Sequence, residues 1–316
     1  MKFKYSLMIF CAFSISNSMA QTTDTVTINF PDGQLSGVLT TADSAQKTPI
    51  VYIISGSGSN DRDGNQGGMK SNAHLMLSNA LVAHGISTLR VDKRMSGESI
   101  FEMKSEEDMS FDTFVSDANA WIDLIVEKDA YSDIIIIGHS QGSLVGMLAA
   151  QNNDKVSAII SLAGPSEKIL VKLREQIYEQ TPMFKEGLEP IFSELEKGNR
   201  VDSIPPMFNS IFRPSVQPFL ISWNKYSPTE EISKLNIPIA IVQGSTDFQV
   251  TLDDANSLHA AHPNTELLII EGMNHVLKEA PEDRMANMIT YSDPELPLID
   301  GLVDDLVHFI EKSTKH

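Results

Sequence analysis

The chain has 316 residues, 41% of them hydrophobic and 21% charged, which is long enough for one large α/β domain or two small ones and too apolar for a disordered chain. Its formal charge of −18 argues against nucleic acid or an anionic membrane surface as partner, and reads as a solvated acidic face. The one cysteine, Cys11, falls in an N-terminal segment that reads as a removable leader, so what remains has no disulfide, thiol nucleophile or cysteine metal site.

Lys2 and Lys4 precede an apolar run from Leu7 to Ile15, and Ser18-Met19-Ala20 ends on small residues, the pattern of a cleavable signal peptide over residues 1–20. The run is too short to span a membrane comfortably. Phe10 stands before Cys11 where a lipoprotein signal needs a small residue. The expectation is cleavage after Ala20 and a periplasmic or secreted bacterial protein. Loss of two lysines then takes the charge from −18 to −20. No second long apolar stretch follows, so no membrane span is expected.

Thr25 to Phe30 alternates apolar and polar residues, Pro31-Asp32-Gly33 makes a turn, and Leu35 to Thr40 reads as the second arm of a β-hairpin. Ile50 to Ile54 is continuously apolar, as in a strand covered on both faces. A glycine-rich loop and a helix over 72–84 come next, with Gly85 as its stop. The alternation continues with strands at 86–91, 133–137 and 156–162 and helices at 111–127 and 142–151. After Gly164-Pro165 the rhythm breaks for about sixty residues of helix and loop, then returns with strands at 237–242 and 266–270 and helices at 252–262 and 298–310. Strands alternating with helices imply crossover units and a mostly parallel sheet. The layout predicts an α/β core over 21–165 and 229–316 with an inserted helical lid over 166–228. The lid aromatics Phe184, Phe192, Phe208, Phe212, Phe219 and Trp223 either pack the lid onto the core or line an acyl pocket.

Gly138-His139-Ser140-Gln141-Gly142 follows an isoleucine run directly and opens a helix rich in small residues. G-x-S-x-G in that context is a nucleophile elbow. The serine sits on a strained strand-to-helix turn, and side chains two positions either side would collide with neighbouring elements. A serine hydroxyl is a weak nucleophile and needs a base. His259 and His262 fall on one predicted helix and His308 on another, where solvated surface positions explain them. His275 lies in the loop after the 266–270 strand, at a strand's carboxyl end, where ligands gather in open α/β sheets. Asp247, in the loop after the preceding strand, is placed to orient that imidazole, whereas Asp253 and Asp254 open the next helix and suit its dipole.

An oxyanion hole needs two backbone donors. One is the N–H of Gln141, and the other falls in Ser55-Gly56-Ser57-Gly58-Ser59, with Ser57 as the donor. The same loop has neither the lysine of a phosphate-binding loop nor the Rossmann spacing. Asp61-Arg62-Asp63-Gly64-Asn65 looks faintly like a calcium loop, but its twelfth position is Asn72, so an Asx turn supporting the oxyanion loop is the better reading.

Together with Asp92-Lys93-Arg94, Ala163-Gly164-Pro165, Pro214-Ser215-Val216-Gln217-Pro218 and Asn274-His275, these motifs resemble the α/β-hydrolase superfamily and, within it, bacterial EstD-type serine esterases. The resemblance implies that Ser140, Asp247 and His275 form the triad and that Ser57 and Gln141 form the oxyanion hole. It implies a small-molecule ester substrate with no metal and no organic cofactor. Met95 stands where the family pattern usually has glycine, which bears on the shape of its loop rather than on the triad. Asp92 and Arg94 read as organisers of that loop. A peptidase or thioesterase could use the same machinery. An aminopeptidase would want an acid for the substrate ammonium, and Glu186, Glu189, Glu194 and Glu196 of the lid are the candidates. A dehalogenase would have aspartate at position 140, and a non-catalytic binding relative would usually lack a triad member.

Overall fold

The computed structural model describes residues 21–151 and 153–314, so the expected leader over 1–20 lies outside the described residues. The chain opens with the predicted hairpin, β1 (Thr22–Phe30) and β2 (Gly33–Thr41), in continuous antiparallel register from Thr22 opposite Thr41 to Phe30 opposite Gly33. Then follow β3 (Thr48–Ile54), α1 (Ala73–Ala83), β4 (Ser87–Val91), a two-residue β5 (Ile100–Phe101), α2 (Phe111–Lys128), β6 (Tyr131–His139), α3 (Gln141–Ala150) and β7 (Val156–Leu162). Helices α4 (Ile169–Gln180), α5 (Lys185–Glu196), α6 (Asn209–Phe212), α7 (Gln217–Trp223) and α8 (Pro228–Ile232) come before the next strand. The chain ends with β8 (Ile239–Gly244), α9 (Leu252–Ala261), β9 (Glu266–Ile270), α10 (Arg284–Ile289) and α11 (Leu302–Ser313).

The sheet runs β1-β2-β4-β3-β6-β7-β8-β9, with β5 pairing β2 off the main path. The pairs from β4 through β9 are parallel, and those involving β1, β2 and β5 are antiparallel. Continuous apolar strands suit this arrangement because successive side chains enter opposite cores. Ile50, Tyr52, Ile134 and Ile136 face one layer, with Trp121, Ile122 and Ile125 of α2. Val51, Ile53, Ile135 and Ile137 face the other, with Leu77 and Leu81 of α1 and Leu306 and Phe309 of α11. Full burial of such side chains contributes about 1.5–3 kcal/mol each.

Helices α4–α7 bury a third, separate cluster that includes Leu188, Phe192, Phe208 and Phe212. Helix α8, by contrast, packs on α3 and α9, so the expected boundary at 228 falls in its first turn. Phe192, Phe208 and Phe212 join the insertion's own core, while Phe219 and Trp223 pack on Phe111 of α2.

Three features depart from the sequence expectation. The last helix starts at Leu302, not at 298, because Gly301 takes φ 86° and interrupts the turn before it. Strand β5 and helix α10 were not anticipated, since two and six residues carry too little periodicity to read.

Candidate active site

Four loops leave the carboxyl ends of β3, β6, β8 and β9 and meet at one edge of the sheet. The β6 loop carries Ser140 at φ 54° and ψ −121°, a conformation that costs a side-chain-bearing residue about 1–3 kcal/mol. Its N–H donates to the Leu162 carbonyl at 2.9 Å, which ties the turn to β7. A Cβ at Gly138 would collide with the Gly142 carbonyl, and one at Gly142 with the Ile54 carbonyl, so the two glycines let strand, turn and helix close up.

The β3 loop approaches from the other side. A Cβ at Gly56 would sit 3.1 Å from the Ser140 Cβ, so the backbone of Gly56 and Ser57 lies against the serine. Among the described residues, the N–H groups of Ser57 and Gln141 donate to no other protein group. Lys93 bridges these two pieces. Its Nζ donates to the Gly56 carbonyl at 2.8 Å and to the Gln141 side-chain Oε1, and lies 4.3 Å from the Phe114 ring centroid. Burial with no carboxylate in ion-pair range pulls the ammonium down to about 7. Because Gly56 C=O and Ser57 N–H belong to one peptide group, a cation on the carbonyl polarises the N–H on its far side. The sequence reading gave Lys93 no role, and its position just after β4, in step with the other site loops, was the available signal.

The β8 and β9 loops hold the acid and the imidazole. His275 Nδ1 donates to Asp247 Oδ2 at 2.7 Å, and both side chains are buried. Asp247 Oδ1 accepts from the N–H groups of Gln249 (2.8 Å) and Val250 (3.1 Å), and Oδ2 also accepts from Gln243 Nε2 (3.3 Å). By accepting the Nδ1 proton, this carboxylate fixes the tautomer that leaves His275 Nε2 as acceptor. Among the described residues, Ser140 and His275 line one cleft without a hydrogen bond between their side chains. Such contacts commonly tighten when substrate arrives.

Two further histidines brace His275. His139 Nε2 donates to the His275 carbonyl at 2.8 Å, and His74 Nε2 meets His139 Nδ1 at 3.4 Å. Burial, and then the nearby Arg90 guanidinium, push His74 down to about 4, and burial likewise holds His139 well below the usual imidazole value. Both rings stay neutral, so His139 keeps the acceptor face that His74 needs. Neither was a sequence candidate, because the partners lie 65 and 136 residues apart.

The His275 loop is fixed from below. Asn274 Oδ1 accepts from the N–H groups of Val276 and Lys278, and its Nδ2 donates to Asn287 Oδ1 and Thr290 Oγ1. Asn287 Nδ2 in turn donates to the Thr246 carbonyl, so helix α10 is tied to both the acid and the imidazole loops.

Two spaces open from Ser140. A cleft of about 440 Å³ is lined by Ser57, His74, His139, Ser140, His275, Phe248, Arg284 and Tyr291, among others. A chamber of about 190 Å³ lies under the helical insertion, lined by Ser57, Ser140 and Gln141 and by Ile169, Leu173, Ile211, Leu220 and Trp223. Of the six aromatics in the expected lid segment, Trp223 alone lines either space. Glu186, Glu189, Glu194 and Glu196 line neither; Glu189 and Glu196 pair with Arg174, and Glu194 with Lys197.

The remaining candidates have structural roles. Asp61 Oδ1 accepts from the N–H groups of Asp63 and Asn65 in an Asx turn, and among the described residues no cluster of three His, Cys, Asp or Glu could hold a metal ion. Asp92 accepts from the N–H groups of Arg62 and Glu98, and Arg94 pairs with Asp117. Met95 adopts φ 66°, so the loop keeps a left-handed bend without glycine. Asp254 completes the capping box of α9. His259 bonds Thr265, His262 bonds the Leu235 carbonyl, and His308 is exposed.

Comparison with known proteins agrees with this architecture. A family model described as "Serine aminopeptidase, S33" matches residues 67–210, a span that holds Ser140 but neither Asp247 nor His275. The chain is 24% identical over 249 residues to esterase EstD of Thermotoga maritima, a match covering 77% of this chain and 58% of EstD. It is also 24% identical over 229 residues to the non-heme chloroperoxidase CPO-A1 of Kitasatospora aureofaciens, covering 65% of this chain and 80% of that one. Among solved structures, Est1E of Butyrivibrio proteoclasticus with ferulic acid bound superposes with a TM-score of 0.63 at 20% identity, over 91% of this chain and 98% of Est1E.

Proposed function

We propose that this chain, which has the α/β-hydrolase fold, is an exported serine hydrolase that cleaves carboxylic esters through an acyl-enzyme on Ser140. One observation carries the reading: buried His275, paired with Asp247 at 2.7 Å, lines one cleft with a serine raised at φ 54° between strand and helix. The named relatives span an esterase and a chloroperoxidase, so the fold alone does not choose the reaction, and the site has to.

In this reading the Ser140 hydroxyl attacks the ester carbonyl while His275 Nε2 takes its proton. Asp247 holds the imidazole in the right tautomer and stabilises its charged form. The N–H groups of Ser57 and Gln141 receive the developing oxyanion, with Lys93 behind both. His275 then protonates the leaving alcohol, and water repeats the sequence on the acyl-enzyme. The acyl chain occupies the apolar chamber, for which the helical insertion acts as a lid. Export follows from the signal pattern of residues 1–20.

An aminopeptidase reading, suggested by the name of the matching family, needs an acid for the substrate ammonium. The cleft lining has none, and Glu167, the sole acid along the chamber, is exposed and shares its wall with Lys172. The test is hydrolysis of p-nitrophenyl esters from acetate to decanoate beside aminoacyl p-nitroanilides, with Ser140→Ala as control. Ester turnover lost by orders of magnitude in the variant supports the proposal. Turnover confined to the anilides, or retained in the variant, overturns it.

A further inference from the structure

The cleft beside His275 is lined by no aspartate, glutamate or lysine, and apart from its histidines its one ionisable charge is Arg284. The chain has seven arginines, and six form ion pairs with carboxylates. Among the described residues Arg284 alone has no carboxylate in range and no hydrogen-bond acceptor for its guanidinium, in a chain whose net charge is −18. The neighbouring carboxylate of Asp283 is committed elsewhere, accepting from the Ala286 N–H at 2.9 Å as the cap of α10.

Arg284 is also held in place. It is half-buried, with its guanidinium carbon 4.5 Å from the Phe248 ring centroid, and Phe248 stacks on Tyr291 at 5.8 Å. A guanidinium lying over a ring keeps its N–H edges available for a planar anion. Through Asn287 and Asn274, the helix that carries Arg284 is tied to the loops of Asp247 and His275. Its distance from the reacting centre is therefore set by the same hydrogen bonds.

We infer that Arg284 is a specificity determinant selecting esters whose alcohol portion carries an anionic group such as a carboxylate. The inference rests on the reading of Ser140 and His275 as nucleophile and base. The side follows from that chemistry. His275 lines the cleft and not the chamber, and the group that protonates the leaving alkoxide must lie beside it, so the alcohol occupies the cleft. Hydrolysis breaks the acyl–oxygen bond, the imidazolium proton goes to the departing oxygen, and the remote anion passes through unchanged.

The test compares 3-carboxyphenyl butyrate with its neutral isostere, 3-carbamoylphenyl butyrate, on the wild type, Arg284→Gln and Arg284→Lys. The ratio of the two kcat/KM values cancels differences in folding and in leaving-group reactivity. A charge-assisted bidentate contact predicts that Arg284→Gln lowers the acid-to-amide ratio about tenfold or more, mostly through KM, and that Arg284→Lys restores part of it. Calorimetric binding of both esters to Ser140→Ala, with and without Arg284→Gln, gives a readout independent of turnover. Hydrolysis of both esters with a ratio that ignores Arg284→Gln overturns the anion site and leaves the hydrolase reading standing. Arginine-dependent preference in binding with no hydrolysis of either ester supports the anion site and overturns the hydrolase reading.

Discussion

On one side of Ser140 lies a cleft walled mainly by loops from the sheet, and on the other a chamber roofed by the helical insertion. The cleft side is fixed by many short-range bonds: the Asp247 side chain accepts four hydrogen bonds, the Asn274 side chain makes four, and two histidines in series brace the loop of His275. The chamber side is held largely by packing, with Ile169, Leu173 and Leu220 meeting a separate hydrophobic cluster and Trp223 stacking on Phe111 of the main core. Directional bonds fix atoms at the precision proton transfer needs, whereas packed aliphatic walls set only size and shape. On the proposed reading, the sheet side carries the chemistry and the leaving group, and the insertion sets the acyl length.

The largest expected break is Asp247→Asn. It keeps the shape of the acid but loses control of the His275 tautomer, so kcat should fall by about 10⁴ on every ester while KM changes little. Steady-state kinetics across acyl lengths check it, and a loss confined to long chains would put Asp247 outside the proton path. Lys93→Met should lower kcat about tenfold, less than loss of a direct oxyanion donor, because the lysine acts through the Gly56 peptide and the Gln141 side chain. Equal losses on acetate and decanoate would show that it serves the sheet side alone.

Leu173→Trp probes the other side. A larger ring on this half-buried wall should lower the decanoate-to-acetate ratio of kcat/KM about tenfold and leave acetate turnover within a fewfold. A prediction outside catalysis concerns stability against pH. His74 has a folded value near 4 against an ordinary 6.5, so between those values the unfolded chain binds a proton that the fold refuses. Stability is therefore lost as pH falls through that window. Urea melts should show the wild type losing up to about 3 kcal/mol more than His74→Gln between pH 7 and pH 4.

The parts of this account that were legible in the sequence are local. Apolar runs at 50–54 and 134–137 announce strands buried on both faces, and the glycines around Ser140 announce a crowded turn. The pairing of Asp247 with His275 was reachable because each lies in the loop after a strand, so chain order sets them at the same end of the sheet. What could not be read depends on distant partners. Lys93 acquires its place from Gly56 and Gln141, 37 and 48 residues away. Arg284 sits on a six-residue helix whose position is set by Asn274 and Thr246, and nothing in its own neighbourhood distinguishes it from a solvated surface arginine.

The measurement that bears most directly on the central claim is covalent labelling with a fluorophosphonate, read by mass spectrometry of the intact protein and its peptides. The account predicts one adduct, on the peptide holding Ser140, absent in Ser140→Ala and slowed by orders of magnitude in Asp247→Asn. An unlabelled wild type that turns over esters, or an adduct on another residue that persists in Ser140→Ala, would contradict it.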